Sequence, residues 1–564
     1  MRCHRFSLSF TVACSILFGT HCAWAQIQTP ASQESVSNAS HIESSSPEPG
    51  DDASSVVAAQ QLLRSGNFAE AIARYQESIQ KGFHVGTAYV GLARAYLKTK
   101  RVKDAYDAAE KAVEFAPSLP DAHVVLGEVR FRMGKLSDAE NEFLVPFRLH
   151  APTARAYFGM FRIHAAAFDE NTALAALDQA YALDPADPEI GSAWIDHRPL
   201  GERITFLKDY LASSDTYYGR TERAEMRESL AVMEDREAHP ERTCSLANRV
   251  KFTTLMLKPP SRLHPDYPGI GLDVYINGSW ARLMVGNRSR DGIALSNTIA
   301  QKAHVQKIAR TDIGGEGVED HPEAYTGFVR SIRIGKLEFR NCYVTVAEES
   351  STNSSFKVFE GMIGAAMFSR FVVDLDIPHD QIKLDELPPI PPVLLKTSIQ
   401  DRATSAPYHD RYVPPQMGGW TRGFRIGDLF LIEARMNGSI PKLFDISMQP
   451  GKNSFSIAAA KETSTLGEES AHNVFDSSGF LQETLLTGPI RLELAGRSFK
   501  QQDGVAFDFT PYSDTLGVEL SGDLSFEFLK NIEFKIDYRD GLVAFGENEK
   551  PLRFEENRRS ARQN

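Results

Sequence analysis

Self-similarity at a fixed spacing constrains this chain more than any other feature. Ala71, Ala105, Ala139 and Ala173 follow one another at intervals of 34 residues. Their neighbourhoods are alike: Gly66-Asn67-Phe68-Ala69-Glu70-Ala71, Lys103-Asp104-Ala105-Tyr106, Gly134-Lys135-Leu136-Ser137-Asp138-Ala139 and Asn171-Thr172-Ala173-Leu174. Leu92-Ala93 and Leu126-Gly127 repeat at the same spacing. Pro117 and Pro185 lie 68 residues apart, two periods, at points where a helix must stop. A period of this size marks stacked supersecondary units that share one continuous core. Small residues at the repeated positions let two helices approach closely. Phe68, Leu136 or Tyr75 fills the space between hairpins, and Gly66-Asn67 or Gly134-Lys135 closes each pair.

These features resemble the tetratricopeptide repeat (TPR) over residues 56–190, with three phased repeats and a weaker fourth. The resemblance implies an α-solenoid whose concave groove binds peptides or partner proteins. An array that only spaces, or packs against, the next domain is the alternative. Pro146 falls on a small-residue position and His150-Ala151-Pro152 blurs the third boundary, which predicts a bent or short helix there. Residues 191–242 keep a helical pattern (Ile204, Phe206, Leu207, Tyr210, Leu211) and read as a cap and connector, because end repeats need a polar outer face.

The N-terminus reads as a secretory signal over residues 1–25. Arg2 and Arg5 precede an apolar run from Phe6 to Phe18, and Ala23-Trp24-Ala25 is a small-x-small cleavage site before Gln26. The run falls short of the ~20 residues that span a bilayer. The expectation is therefore an exported protein, periplasmic or secreted, with no membrane span after cleavage. Residues 26–55 are rich in Ser, Pro, Glu and Gln and read as a disordered spacer; residues 549–564 read as a tail. The net charge of −12 argues against a nucleic-acid partner, which would need a basic face. Cleavage leaves Cys244 and Cys342, which export allows to pair and which could equally be two buried thiols. No residue pattern calls for a metal or another cofactor.

From about residue 243 the texture becomes β, in two copies. Leu272-Asp273-Val274-Tyr275-Ile276 precedes Asn277-Gly278, and Leu431-Ile432-Glu433-Ala434-Arg435-Met436 precedes Asn437-Gly438, 160 residues on. Asn-Gly between alternating apolar runs is a strong hairpin signal. Glu360-Gly361-Met362-Ile363-Gly364 and Phe371-Val372-Val373-Asp374-Leu375-Asp376 find counterparts in Leu520-Ser521-Gly522-Asp523-Leu524 and Ile532-Glu533-Phe534-Lys535-Ile536-Asp537-Tyr538. This order resembles the pepsin and retropepsin superfamily. The resemblance implies a bilobal acid-protease-like pair of β-barrels after the α-solenoid: lobe 1 over 243–387, a Pro-rich linker over 388–419 and lobe 2 over 420–548.

Aspartic proteolysis needs two carboxylates across the lobe interface that share one proton, one acting as base toward water and the other as acid toward the carbonyl. By the resemblance, lobe 2 keeps Asp445, followed by Ile446-Ser447 in place of a hydroxyl residue and a glycine. Counting by sequence, lobe 1 offers Val285, followed by Gly286-Asn287. Valine cannot ionise. The expectation is a degenerate site: a non-catalytic scaffold that binds a peptide or protein through the repeat groove, the inter-lobe cleft, or both. The alternative is an active aspartic endopeptidase with an unusual dyad using Asp445. Gly314, Gly315 and Gly317 mark the expected substrate-binding flap.

Overall fold

The computed structural model describes residues 51–547, apart from 213–219, 263, 287–291, 313–322, 349–358, 391–412, 428, 449–450, 470–473, 476–480, 483, 503 and 531. The stretches expected as signal and tail and most of the expected spacer lie outside the described residues, as do Gly314, Gly315, Gly317 and Asn287.

The helical half consists of stacked hairpins: α1 (Asp51–Arg64) with α2 (Phe68–Gln80), α3 (Val85–Lys98) with α4 (Val102–Phe115), α5 (Pro120–Arg132) with α6 (Leu136–Phe143), and α8 (Ala154–Ala166) with α9 (Glu170–Leu183). Helix α1 starts inside the stretch expected as spacer. The four period-defining alanines are fully buried. Their neighbours show why small side chains recur. A Cβ added to Gly91 would lie 2.1 Å from the Tyr75 ring, and one added to Gly159 would lie 2.4 Å from that of Phe143. The expected irregularity is there: α6 stops at Phe143, and a separate turn, α7 (Val145–Arg148), carries Pro146 at its start, where the missing N–H costs nothing. Asp169 and Asp187 cap α9 and the next helix, α10 (Pro188–Asp196). Helix α10 packs on α9, and α11 (Leu200–Ala212) packs mainly on the helix that follows it. Then α12 (Arg220–Ala238) leads to the β domain.

Each β lobe is built on the same sheet plan. In lobe 1, Gly271–Ile276 pairs with Ser279–Val285 across the Asn277-Gly278 turn, and Ser279–Val285 runs parallel to Gly361–Ile363, which is flanked by Ile293–Ser296. In lobe 2, Leu429–Met436, Lys442–Asp445, Gly522–Asp523 and Ser454–Ser456 repeat those pairings. Both turns have positive φ at Asn and at Gly (48° and 86°; 48° and 77°), the backbone a tight hairpin with right-handed twist requires. Both asparagines also accept backbone N–H groups from the strand beyond: Asn277 from Arg330 and Ser331, and Asn437 from Arg491.

The lobes meet in one six-stranded antiparallel sheet. Its central strands are Phe371–Asp376 of lobe 1 and Ile532–Asp537 of lobe 2, with Asp374 opposite Lys535. One apolar core runs through both lobes.

The array does not hang free of this body. Phe131, Phe143, Phe158 and Phe161 share a second core with Leu429, Leu431, Leu443, Phe507, Val518 and Leu520 of lobe 2. Phe168, at positive φ between α8 and α9, lies 5.7 Å from the Phe430 ring, centroid to centroid, and seats against Gly541, where a Cβ would lie 2.2 Å away. Ion pairs join the halves at Arg132–Asp514 (2.5 Å), Lys100–Asp514 (3.0 Å) and Arg425–Glu170 (3.2 Å). On the other side α12 packs along the Gln306–Asp312 strand of lobe 1, and the Tyr343 hydroxyl donates to Asp235 at 2.6 Å. Cys244 and Cys342 are joined as a disulfide, which pins the connector to the strand Leu337–Ala347.

Candidate functional site

Asp445 ends the strand Lys442–Asp445 and is fully buried. Its carbonyl accepts the Leu524 N–H at 2.7 Å, while Ile446 donates its N–H to Phe430 at 3.1 Å. The chain then turns sharply. Met448 takes a positive φ of 53°, unusual for a residue with a Cβ, and its N–H reaches the Leu524 carbonyl at 3.4 Å. Ser447 is buried, and its hydroxyl donates to the same carbonyl at 3.5 Å. Close by, the Asn453 side-chain oxygen accepts both the N–H (2.9 Å) and the hydroxyl (3.1 Å) of Ser525.

The pairing registers identify the lobe-1 counterpart of Asp445. Val274 faces Ile334 and Ala434 faces Leu494, each 60 residues on, so Val274 and Ala434 correspond. Val274 faces Ala281 and Ala434 faces Lys442, so six residues separate the first pair and seven the second. Ser439 closes its turn on Met436 as Ser279 does on Ile276, so the extra residue of lobe 2 lies between Ser439 and Lys442. Beyond it the correspondence slips by one. Met284 pairs with Gly271 and Met362 as Asp445 pairs with Leu431 and Asp523. The position opposite Asp445 across the pseudo-two-fold is therefore held by Met284, and Val285 corresponds to Ile446. By the same register, Ser447 and Ser525 of lobe 2 stand where lobe 1 has Gly286 and Gly364. The sequence count chose Val285 because it took the two hairpin connections to be equally long, and a slip of one residue in a strand exchanges its faces. The chemical consequence is unchanged: neither side chain can ionise.

The seam around these residues is apolar. A small cavity there is lined by Val285, Gly286, Gly364 and Phe368 from lobe 1 and by Met448 and Tyr538 from lobe 2, with Val373, Leu375 and Ile382 behind. Burial, and then the negative charge of Asp445, push the Tyr538 phenol far above its ordinary range, so it stays a neutral hydroxyl. Among the described residues, Asp445 has an acid on the adjacent strand of its own lobe. Asp523 is its register partner on the adjacent parallel strand, and in-register residues project from the same face. The sequence contained Asp523 within a recognised anchor, but only the parallel pairing brings it beside Asp445. The strands Gln306–Asp312 and Glu323–Ile334 pair antiparallel, and the glycines between them in sequence, Gly314, Gly315 and Gly317, expected as a substrate-binding flap, lie outside the described residues. Among the described residues no group of His, Cys, Asp and Glu could hold a metal ion, and no helix is long and apolar enough to cross a membrane.

Comparison with solved structures finds similarity to three proteins, each at low identity. A retropepsin-like aspartic protease from Rickettsia conorii matches at 17% identity, covering 26% of this chain and 94% of its own, with a TM-score of 0.18. A thermophilic TPR protein of Thermus thermophilus matches at 21% identity, covering 32% of this chain and 98% of its own (TM-score 0.27). An aspartic proteinase from Irpex lacteus matches at 9% identity, covering 54% of this chain and 99% of its own (TM-score 0.29). No protein-family model and no curated protein matches the chain. The chain joins an array of helical hairpins to a β domain of two lobes built on one sheet plan.

Proposed function

We propose that this protein is an exported, non-catalytic scaffold: a pseudo-protease that binds an extended peptide or protein segment in its inter-lobe cleft, with the repeat array as a second binding element. One observation carries the reading. The carboxyl at Asp445 has Met284, a thioether, as its counterpart across the lobes. A dyad splits its two pKa values by sharing a proton, and a thioether can neither hold nor return one. Peptide binding does not need the dyad, because an extended chain is held by main-chain hydrogen bonds and side-chain pockets. Export is supported by the basic, apolar and small-x-small order of residues 1–25, and the Cys244–Cys342 bond suits an oxidising compartment.

The test is retention. The purified mature protein, incubated with a mixture of extended peptides and then separated from unbound material, is expected to hold a subset and release every member intact by mass. Release of peptides shortened at defined bonds would contradict the reading. An aspartic endopeptidase with an unusual dyad is the second reading, and Asp523 is the observation that favours it: a second carboxyl in register beside Asp445 is the arrangement a one-lobe dyad would use.

A further inference from the structure

The six-stranded sheet that joins the lobes ends, on its lobe-1 side, in the strand Phe252–Met256. This strand pairs with Gln381–Glu386, and among the described residues no strand lies beyond it. Main-chain groups of successive residues face opposite sides along a strand. Leu257 donates its N–H to Asp380 at 2.7 Å, and Lys251 accepts the Glu386 N–H at 2.8 Å, so the odd-numbered residues face into the sheet. Lys258 faces the other way and exchanges hydrogen bonds with Gly271, at 3.0 and 2.7 Å. The N–H and C=O groups of Phe252, Thr254 and Met256 therefore point outward from the sheet edge.

The side chains make this edge unlike an ordinary one. Thr253 and Leu255 are buried, whereas Phe252 and Met256 are 53% and 52% exposed. Edge strands are commonly blunted by a charge, a proline or a bulge. Residues 252–256 hold no charge and no proline, and their register against 381–385 is unbroken. The opposite edge of the same sheet is blunted: it is only Thr421–Arg422, and half of it is a charged residue.

The free strand is also complementary to itself. A two-fold axis through Thr254, normal to the sheet, lays it antiparallel against a second copy. Thr254 then faces Thr254 of the second copy, and Phe252 faces Met256 in both directions. All three are outward-facing pairs, so the strands exchange about six main-chain hydrogen bonds, two for each pair. Such an axis keeps each face of the sheet on its own side, so the exposed ring meets the exposed thioether. No like charges meet, because Lys251 lies against Leu257 and Lys258 against Val250.

We propose that this protein forms a two-fold homodimer by antiparallel pairing of residues 252–256, which joins the interlobe sheets of two copies into one. The inference is independent of peptide binding by the cleft or the array. The contact is at the small end of specific interfaces, so the dimer is expected to form in a concentration-dependent way.

The experiment is sedimentation of the full mature chain between about 1 and about 200 µM, the range in which an interface of this size associates. The wild type is expected to shift from monomer to dimer. Thr254→Pro removes the central outward N–H and no bond to Gln381–Glu386, and is expected to stay monomeric with an unchanged circular dichroism spectrum. Should that variant not fold, a charge pair decides. Phe252→Lys with Met256→Lys sets like charges opposite each other and is expected to give a monomer; Phe252→Glu with Met256→Lys sets opposite charges there and is expected to restore the dimer. The register has its own check. Thr254→Cys places two Cα atoms about 5.5 Å apart across the axis and is expected to give a disulfide-linked dimer, whereas Phe252→Cys leaves them more than roughly 13 Å apart and unlinked. A wild type that stays monomeric throughout, as it would if the edge received a different strand, overturns the proposal. So does a dimer that survives both Thr254→Pro and the double lysine variant, or linkage of Phe252→Cys as readily as of Thr254→Cys.

Discussion

Asp376 and Asp537 show how the same residue at equivalent turns can titrate in opposite senses. Each closes a hairpin of the shared sheet, Asp376 facing Gln381 and Asp537 facing Leu542. Burial opposes the charge on Asp376, but the side chains of Lys383 (2.7 Å), His379 (2.5 Å) and Gln381 (3.0 Å) surround it and hold its carboxyl below the usual range. Asp537 accepts only the turn amides of Arg539 and Asp540, and its other oxygen has no hydrogen-bond partner. Burial, and then the neighbouring Asp540, push it up to about 7. The signs follow from linkage. Asp376 adds stability above its unfolded value and loses it in acid. Asp537 binds its proton more tightly folded than unfolded, so its contribution is fullest below pH ~4 and disappears as pH rises through about 7. Asp537→Asn is expected to flatten the fall in melting temperature between about pH 4 and about pH 7, with an upper bound of about 4 kcal/mol. An unchanged pH profile of thermal unfolding would contradict this. Gly91→Ala offers a second check at this scale: the new methyl would overlap the buried Tyr75 ring, and the expected loss is about 1–3 kcal/mol by denaturant unfolding.

At the scale of elements, the helical period was legible because a repeat array states its packing rule several times over. The alanines, the closing glycines and the fault at Pro146 all fell where hairpin packing put them. The two β hairpins were legible for a related reason, since Asn-Gly turns demand positive φ and leave few alternatives. Register was not legible. One extra residue lies between Ser439 and Lys442, nothing local in the sequence marks it as an insertion, and the dyad position moved from Val285 to Met284. The parallel contact that sets Asp523 beside Asp445 joins strands far apart in the chain, beyond the reach of any local pattern. The disulfide is testable at this scale. It closes a loop across a sequence separation of 98 residues, and its removal by Cys244→Ser with Cys342→Ser is expected to cost about 2–5 kcal/mol, seen as a lower melting temperature.

For the whole molecule, the decisive feature is that the array and lobe 2 share a core. Leu431, Leu443, Phe507 and Leu520 are buried in a cluster whose other wall is helical. A fragment starting at residue 243 would expose that surface to water, and large exposed apolar patches bind dye and aggregate. The fragment 243–547 is therefore expected to bind a hydrophobic dye and to melt below the full chain, whereas an independent β domain would match the full chain in both. The same geometry makes the repeats a structural wall of the β domain. The account as a whole stands on the inertness of the seam. Its most direct test is cleavage of a denatured protein by the purified mature chain between about pH 3 and about pH 7, run beside Asp445→Asn and Asp523→Asn. The account predicts no cleavage above background in any of the three. Cleavage by the wild type that vanishes in either variant would contradict it, and would make the two lobe-2 carboxyls a working pair.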